Sequence, residues 1–150
     1  MSRFPMPLQT QLPISGERAR LLANFMYQDK DNGLIQVPAG FSTDFASVKP
    51  LRTIAVALLL VSLAVGWLLP EAGAAIGTAG FYVLVLYSSV VGYGNAAATI
   101  HDWLYSTGAL SRRDADRVFY NALRASHVAL WRALLMYAGV RLGGHWRYRK

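Results

Sequence analysis

The chain contains no cysteine. That excludes a disulfide-stapled secreted scaffold and a thiolate zinc site, and it leaves the redox compartment open. Acid is also scarce, with 8 Asp and Glu against 15 Lys and Arg for a formal net charge of +7. Between Thr53 and Ile100 charge of either sign is nearly missing, since Glu71 is the one charged side chain in that stretch. So apolar a block is hard to bury in a soluble domain built from 150 residues, and it reads as membrane. Disorder is excluded as well, because 54% of the residues are hydrophobic.

The block divides at Leu68-Leu69-Pro70-Glu71-Ala72-Gly73 into two apolar runs, Thr53 to Leu69 and Ala72 to Val91. Each is close to the roughly 20 residues that a helix needs to cross a bilayer. Proline and glycine beside the one carboxylate make a turn suited to headgroups or water, whereas a continuous helix would drag Pro70 and Glu71 through hydrocarbon. A two-helix hairpin returns the chain to the side from which it entered. Three segments follow: residues 1–52, a membrane hairpin over 53–92, and a basic helical segment over 93–150. Small residues at helical spacing, Ser62 and Gly66 in the first run and Gly73, Gly77 and Gly80 in the second, mark the seam between the helices.

The positive charge is placed unevenly. Nine Arg or Lys face two Asp between Arg112 and Lys150. Beside an apolar hairpin this predicts that both flanks stay in the cytoplasm, at a bacterial inner membrane, and that anionic lipid headgroups are the partner. Nucleic acid ranks lower, because these arginines are scattered through apolar helices and form no basic stripe with interleaved aromatics. Met1 to Pro13 has three prolines and no apolar core, so no cleavable signal peptide is expected there.

Met1 to Gly16 reads as an extended, proline-punctuated lead. Arg18 to Gln28 and Leu34 to Val37 flank Asp29-Lys30-Asp31-Asn32-Gly33 and read as a β-hairpin with Asn-Gly at its turn, helix remaining open before Asp29. Lys49 and Arg52 stand where the first apolar helix leaves the interface. Beyond Gly92-Tyr93-Gly94-Asn95, which reads as a loosened exit from the membrane, a helix should run from Ala96 to about Ser106, stopped by Gly108. Ser111, with Asp114 three residues on, should cap the next. That next helix places Ala115, Val118, Phe119, Ala122 and Leu123 on one face. Val128 to Leu142 is apolar almost all round apart from Arg132 and Arg141, so it is enclosed by the domain or lies at the bilayer interface. The tail from Gly143 to Lys150 mixes aromatics with cations, as an interfacial anchor does.

Chemistry concentrates at His101-Asp102-Trp103-Leu104-Tyr105 and on the helix bearing Asp114 and Asp116. If the loop between these helices centres near Ala109, a residue eight before it faces one about eight after it, which sets His101 opposite Asp116 or its neighbour. His101 and Asp102 are adjacent on one helix, point about 100° apart and do not pair efficiently. A histidine held by a carboxylate from the neighbouring helix suits a general base, since the carboxylate fixes the tautomer and stabilises the imidazolium. The alternative is a structural histidine, and for Asp44 a turn cap.

Val37-Pro38-Ala39-Gly40-Phe41-Ser42-Thr43-Asp44-Phe45-Ala46-Ser47-Val48, Tyr93-Gly94, His101 to Tyr105, Ala115-Asp116, Phe119, Arg132-Ala133, Met136-Tyr137 and Val140-Arg141 together resemble a family of small phage and prophage proteins known only as a domain of unknown function. The departures are the apolar block, where usual members have a much shorter linker, and Lys49, where they tend to have proline. The stretch Ala96 to Asp102 with Tyr105, Ala115-Asp116 and Phe119 is also similar to the active-site helix pair of phospholipase A2, especially the cysteine-free viral type. That resemblance implies His101 as general base for water, Asp116 as the group that orients it, and Asp102 as a calcium ligand. The family's glycine-rich calcium loop has no counterpart at the expected distance, and Gly40 to Asp44, with Asp44 as a further ligand, is the segment available to replace it.

The expected fold is therefore mainly α with a small N-terminal β-hairpin, a membrane helical hairpin being inserted into a domain built on a phospholipase A2-like helix pair. The expected function is a phage-derived membrane protein hydrolysing lipid esters of the adjacent leaflet, with calcium as the cofactor to consider. The alternative is a non-enzymatic, virion-associated component that binds the host membrane, a virion partner or itself.

Overall fold

The computed structural model describes residues 1–14, 18–45, 49–144 and Tyr148. Met1–Ser47 and Gly92–Lys150 make one compact unit and Val48–Val91 another, so the first and third sequence segments share a unit.

The first unit is a set of short strands with three helices. Strands β1 (Thr10–Gln11), β2 (Ala19–Leu21) and β5 (Ser42–Thr43) form one antiparallel sheet in the order β1-β2-β5, and β3 (Phe25–Asp29) pairs with β4 (Gly33–Val37) in a hairpin. The hairpin lies where sequence placed it, but Arg18 to Gln28 is not one strand: it breaks at Leu22 to Asn24 into β2 and β3. The lead is likewise partly paired, through Thr10–Gln11 and a bridge from Arg3 to Gln28. At the turn only Gly33 takes a positive φ, +76°, since the Asp29 carboxylate accepts from the backbone N–H groups of Asp31 and Asn32 at 3.1 and 3.0 Å and closes the preceding residues right-handedly.

Helices α3 (Asn95–Thr107), α4 (Arg112–Ala125) and α5 (Leu130–Gly143) complete this unit. Gly108 ends α3 in the left-handed conformation, φ +63°. Ser111 caps α4, its hydroxyl accepting from Asp114 N. The apolar face read from the sequence of α4 is buried: Ala115, Val118, Phe119, Ala122 and Leu123 are all at 0% exposure. They share the core with Ile100 and Leu104 of α3 and with Phe25, Tyr27 and Val37 of the hairpin. Gly94 is not a loose exit. It sits at φ +71° so close to Leu123 that an added Cβ would meet Leu123 Cδ2 at 2.3 Å.

The second unit is the helical pair α1 (Lys49–Leu68) and α2 (Pro70–Val90). Both are long and apolar enough to cross a membrane, over Leu51–Leu68 and Pro70–Val90. Their connection is tighter than the sequence suggests, only Leu69 lying between them. Pro70 opens α2, where its missing N–H costs nothing, and Glu71 falls in the first turn, where the helix dipole favours it. The small-residue seam is present. A Cβ on Gly73 would stand 2.3 Å from Gly66 Cα, one on Gly77 would meet Ser62 Oγ at 3.1 Å, and one on Gly80 would meet Leu58 Cβ at 3.1 Å.

The side chain of Lys49 and most of the expected anchor tail, including His145, Trp146, Arg147, Arg149 and Lys150, lie outside the described residues. Tyr148 is turned inward, its hydroxyl donating to Leu110 O at 2.7 Å.

Because the nearest atoms to Gly73 are backbone, Gly73→Ala has no soft neighbour to displace. The substitution is expected to cost about 1–3 kcal/mol through overpacking, seen as a lower midpoint when the protein is titrated from mild detergent into SDS. An unchanged midpoint would contradict the close approach.

Candidate functional site

Asp116 lies on the buried side of α4 at 0% exposure, and four side chains meet it. His101 and Tyr105 come from α3, four residues apart and thus on one face. His101 Nε2 lies 3.0 Å from Asp116 Oδ1, and the Tyr105 hydroxyl donates to the same oxygen at 2.5 Å. Arg141, from the last turn of α5, donates through Nη1 to Oδ2 at 2.8 Å. Arg112, one turn before Asp116, brings Nε to 4.0 Å from Oδ2 and donates through Nη2 to the carbonyl oxygens of Val140 and Arg141. The start of α4 is thereby tied to the end of α5.

Burial by itself would raise the pKa of this carboxyl, but the hydrogen bonds from His101, Tyr105 and Arg141 together outweigh it and hold Asp116 below the usual carboxylate value. Burial, reinforced by the bond to Asp116, pushes the Tyr105 hydroxyl up to about 12, so it remains a donor at neutral pH. An ionised carboxylate only accepts. In the neutral imidazole the proton therefore belongs on Nε2, and the lone pair is left on Nδ1. The ring is packed between Tyr105 and Phe119, with centroids at 4.0 and 4.8 Å, and is 4% exposed. Among the described residues no hydrogen bond occupies Nδ1, and the one fully buried side-chain nitrogen or oxygen without a partner is Arg112 Nε.

Asp102, the next residue, points elsewhere, as adjacency on a helix requires. Its Oδ2 accepts from the Thr43 hydroxyl of β5 at 2.6 Å, and the Thr43 oxygen in turn accepts from Phe45 N at 3.3 Å, where Phe45 adopts φ +49°. Trp103 packs edge-on against Phe41 at 5.2 Å. Among the described residues no group of three or more His, Asp or Glu side chains able to hold a metal includes Asp102 or the half-buried Asp44. Calcium takes six to eight oxygens. Asp102, whose Oδ2 is bonded to Thr43, and Asp44 would each supply part of that set, the rest coming from backbone carbonyls or water. A shallow groove lined by Gln11, Arg20, Leu21, Leu22, Ala39 and Gly40 takes in none of the residues around Asp116.

The pairing of His101 with Asp116 matches the antiparallel spacing of α3 and α4. Sequence reasoning missed the other partners. Tyr105 had a readable signal, standing four residues after His101. Arg141 had a weaker one, as one of two charges in an otherwise apolar helix, and nothing local points it at Asp116. A second buried acid also went unread. Asp29 is 1% exposed and takes hydrogen bonds from Tyr27 at 3.3 Å, Asn32 at 3.0 Å and, from α4, Asn121 at 3.1 Å. Burial opposes its ionisation, but bonds from Asn32, Asn121 and the backbone of Asp31 and Asn32 prevail and lower its pKa.

A family model described as "Protein of unknown function (DUF1353)" matches residues 19–60 and 81–140. The chain belongs to this family. The two matched segments contain β2 to β5, most of α1, the second half of α2, and Asp116 with His101, Tyr105 and Arg112; Arg141 falls one residue beyond the second segment, and the unmatched interval, 61–80, falls on the tip of the helical pair. Neither curated proteins nor solved structures give a match.

Asp116→Asn leaves the cations without their counter-charge and should cost about 3 kcal/mol of stability at neutral pH. In the wild-type protein the folded pKa of Asp116 lies below its unfolded value of about 3.9. Its stabilisation is then complete above that value and is lost as pH falls through the folded one. The variant should lose less stability than wild type on acidification and keep the share that Asp29 supplies. Detergent-solubilised protein unfolded at a series of acidic pH values checks this, and parallel curves for the two proteins would contradict it.

Proposed function

We propose that the chain is a membrane-anchored hydrolase of lipid esters, of phage or prophage origin, in which His101 is the general base and Asp116 orients it. The observation that supports this most is the 3.0 Å contact between His101 Nε2 and a fully buried carboxylate, with no hydrogen bond to Nδ1 among the described residues. In this reading a water at Nδ1 attacks the ester carbonyl carbon while Nδ1 takes one of its protons, and Asp116 stabilises the imidazolium. Collapse of the tetrahedral intermediate breaks the bond to the alcohol oxygen. The imidazolium returns the proton to that oxygen, giving a fatty acid and a lysolipid.

Lipid as the substrate class is supported by α1 and α2. Only 6% and 17% of their apolar spans are buried, far less than in a core helix of a soluble protein, and hydrocarbon is a medium that covers such surface at no cost. With the chain crossing twice, the positive-inside rule puts both flanks in the cytoplasm of a bacterial host, facing anionic headgroups.

The 4% exposure of His101 favours a second reading, in which the network around Asp116 is a structural strut in a non-enzymatic phage component. One experiment separates the two. Full-length protein and His101→Ala, matched for helix content by circular dichroism, are reconstituted with phosphatidylethanolamine and phosphatidylglycerol, with calcium or a chelator. Fatty-acid release by wild type, falling at least about 100-fold in the variant, is expected for the hydrolase. Equal, negligible release from both leaves the strut.

A further inference from the structure

Helix α5 has two apolar faces. Ala133, Met136 and Val140 are buried, as the inward side of a helix in a small domain must be. The opposite arc, at 100° per residue, holds Trp131, Leu134, Ala138 and Leu142. That arc is open: Trp131 is 51%, Leu134 48% and Leu142 86% exposed. A surface helix of a soluble domain carries polar residues there. Here the two charged residues of the helix stand at the margins of the apolar arc, Arg132 on one side and Arg141 on the other.

We infer that the outward face of α5 lies in the headgroup–acyl boundary of an anionic membrane, as an interfacial helix. Three observations choose lipid over other occupants. The segment from Arg112 to Lys150 has nine basic residues against two acidic ones, the complement of an anionic surface. At the start of α5, the Arg132 guanidinium lies over two aromatic rings, 4.2 Å from the Tyr93 centroid and 4.8 Å from that of Trp131, a cation-aromatic group of the kind that settles at headgroup level. The same chain supplies α1 and α2, two largely exposed helices that fit a bilayer. A second copy docked through this face would instead bring identical basic margins together, a like-charge contact that disfavours self-association. Arg141 at the margin also donates to Asp116. The helix on the membrane is then the one that helps to hold the carboxylate beside His101.

The inference rests on the membrane part of the function proposed above and is independent of catalysis. Absence of cysteine makes the test direct, since a single introduced thiol is the only one to label. Leu134→Cys, Leu142→Cys and, as a marker on α1, Leu60→Cys all fall at exposed positions, so the substitutions leave the core intact. Each full-length variant is labelled with an environment-sensitive fluorophore and reconstituted into phosphatidylglycerol vesicles containing lipids brominated near the headgroup end of their acyl chains or, for position 60, near the methyl end. The expected result is a blue shift and loss of emission to bromolipid at 134 and 142, with little loss to aqueous iodide. Quenching at 134 and 142 by iodide and not by bromolipid would overturn the inference, while bromolipid quenching at 60 would leave the membrane reading standing. Protection of 134 and 142 from both quenchers would also overturn it, in favour of a protein partner such as a second copy. No bromolipid quenching at 60 would remove the membrane reading and this inference together.

Discussion

An ionised carboxylate without contact to water costs several kcal/mol unless its oxygens are fully engaged. At Asp116 both oxygens are engaged, by groups from α3 and α5. This requirement disciplines the helical part of the first unit. His101 and Tyr105 must lie one turn apart on α3, Asp116 must face them from α4, and the end of α5 must come near enough for Arg141 to reach Oδ2. Arg112 reinforces that arrangement by capping the final carbonyls of α5 from the start of α4. Loss of one partner strands the others, so the cluster behaves as a unit and its members cannot be valued singly.

A parallel device holds the strands. Asp29 spends one oxygen on its own turn and the other on Tyr27 and Asn121. The hairpin is thereby pinned to α4, the helix that presents Asp116. Thr43 and Asp102 make a further bond between β5 and α3. Two buried acids and a half-buried one on α3 thus fasten strands and helices whose apolar contacts alone, in so small a unit, would permit several packings.

Much of this was legible in sequence for physical reasons. The helix pair announced itself through Gly108 and Ser111, and equal spacing from a short loop sets His101 opposite Asp116. The two apolar runs and their small-residue seam follow from composition and from 3.6-residue periodicity. Strands of two or three residues, such as Thr10–Gln11 and Ala19–Leu21, are too short to show alternation, so the three-stranded sheet was invisible. The reversal between the two runs is legible at Leu68 to Gly73, but its tightness is not, because Pro70 and Glu71 are equally at home in a turn and in the first turn of a helix. Arg141 is 25 residues from Asp116, and only the tertiary fold makes them neighbours.

The central claim is that an ionised, buried Asp116 fixes the ring of His101 with the proton on Nε2 and the lone pair on Nδ1. Long-range proton–nitrogen correlation spectra of full-length protein with labelled histidine, recorded where the imidazole is neutral, read that tautomer directly. The expected result is a pyrrole-type shift at Nε2 and a pyridine-type shift at Nδ1. The reverse pattern, or a ring averaging between the two tautomers, would contradict it.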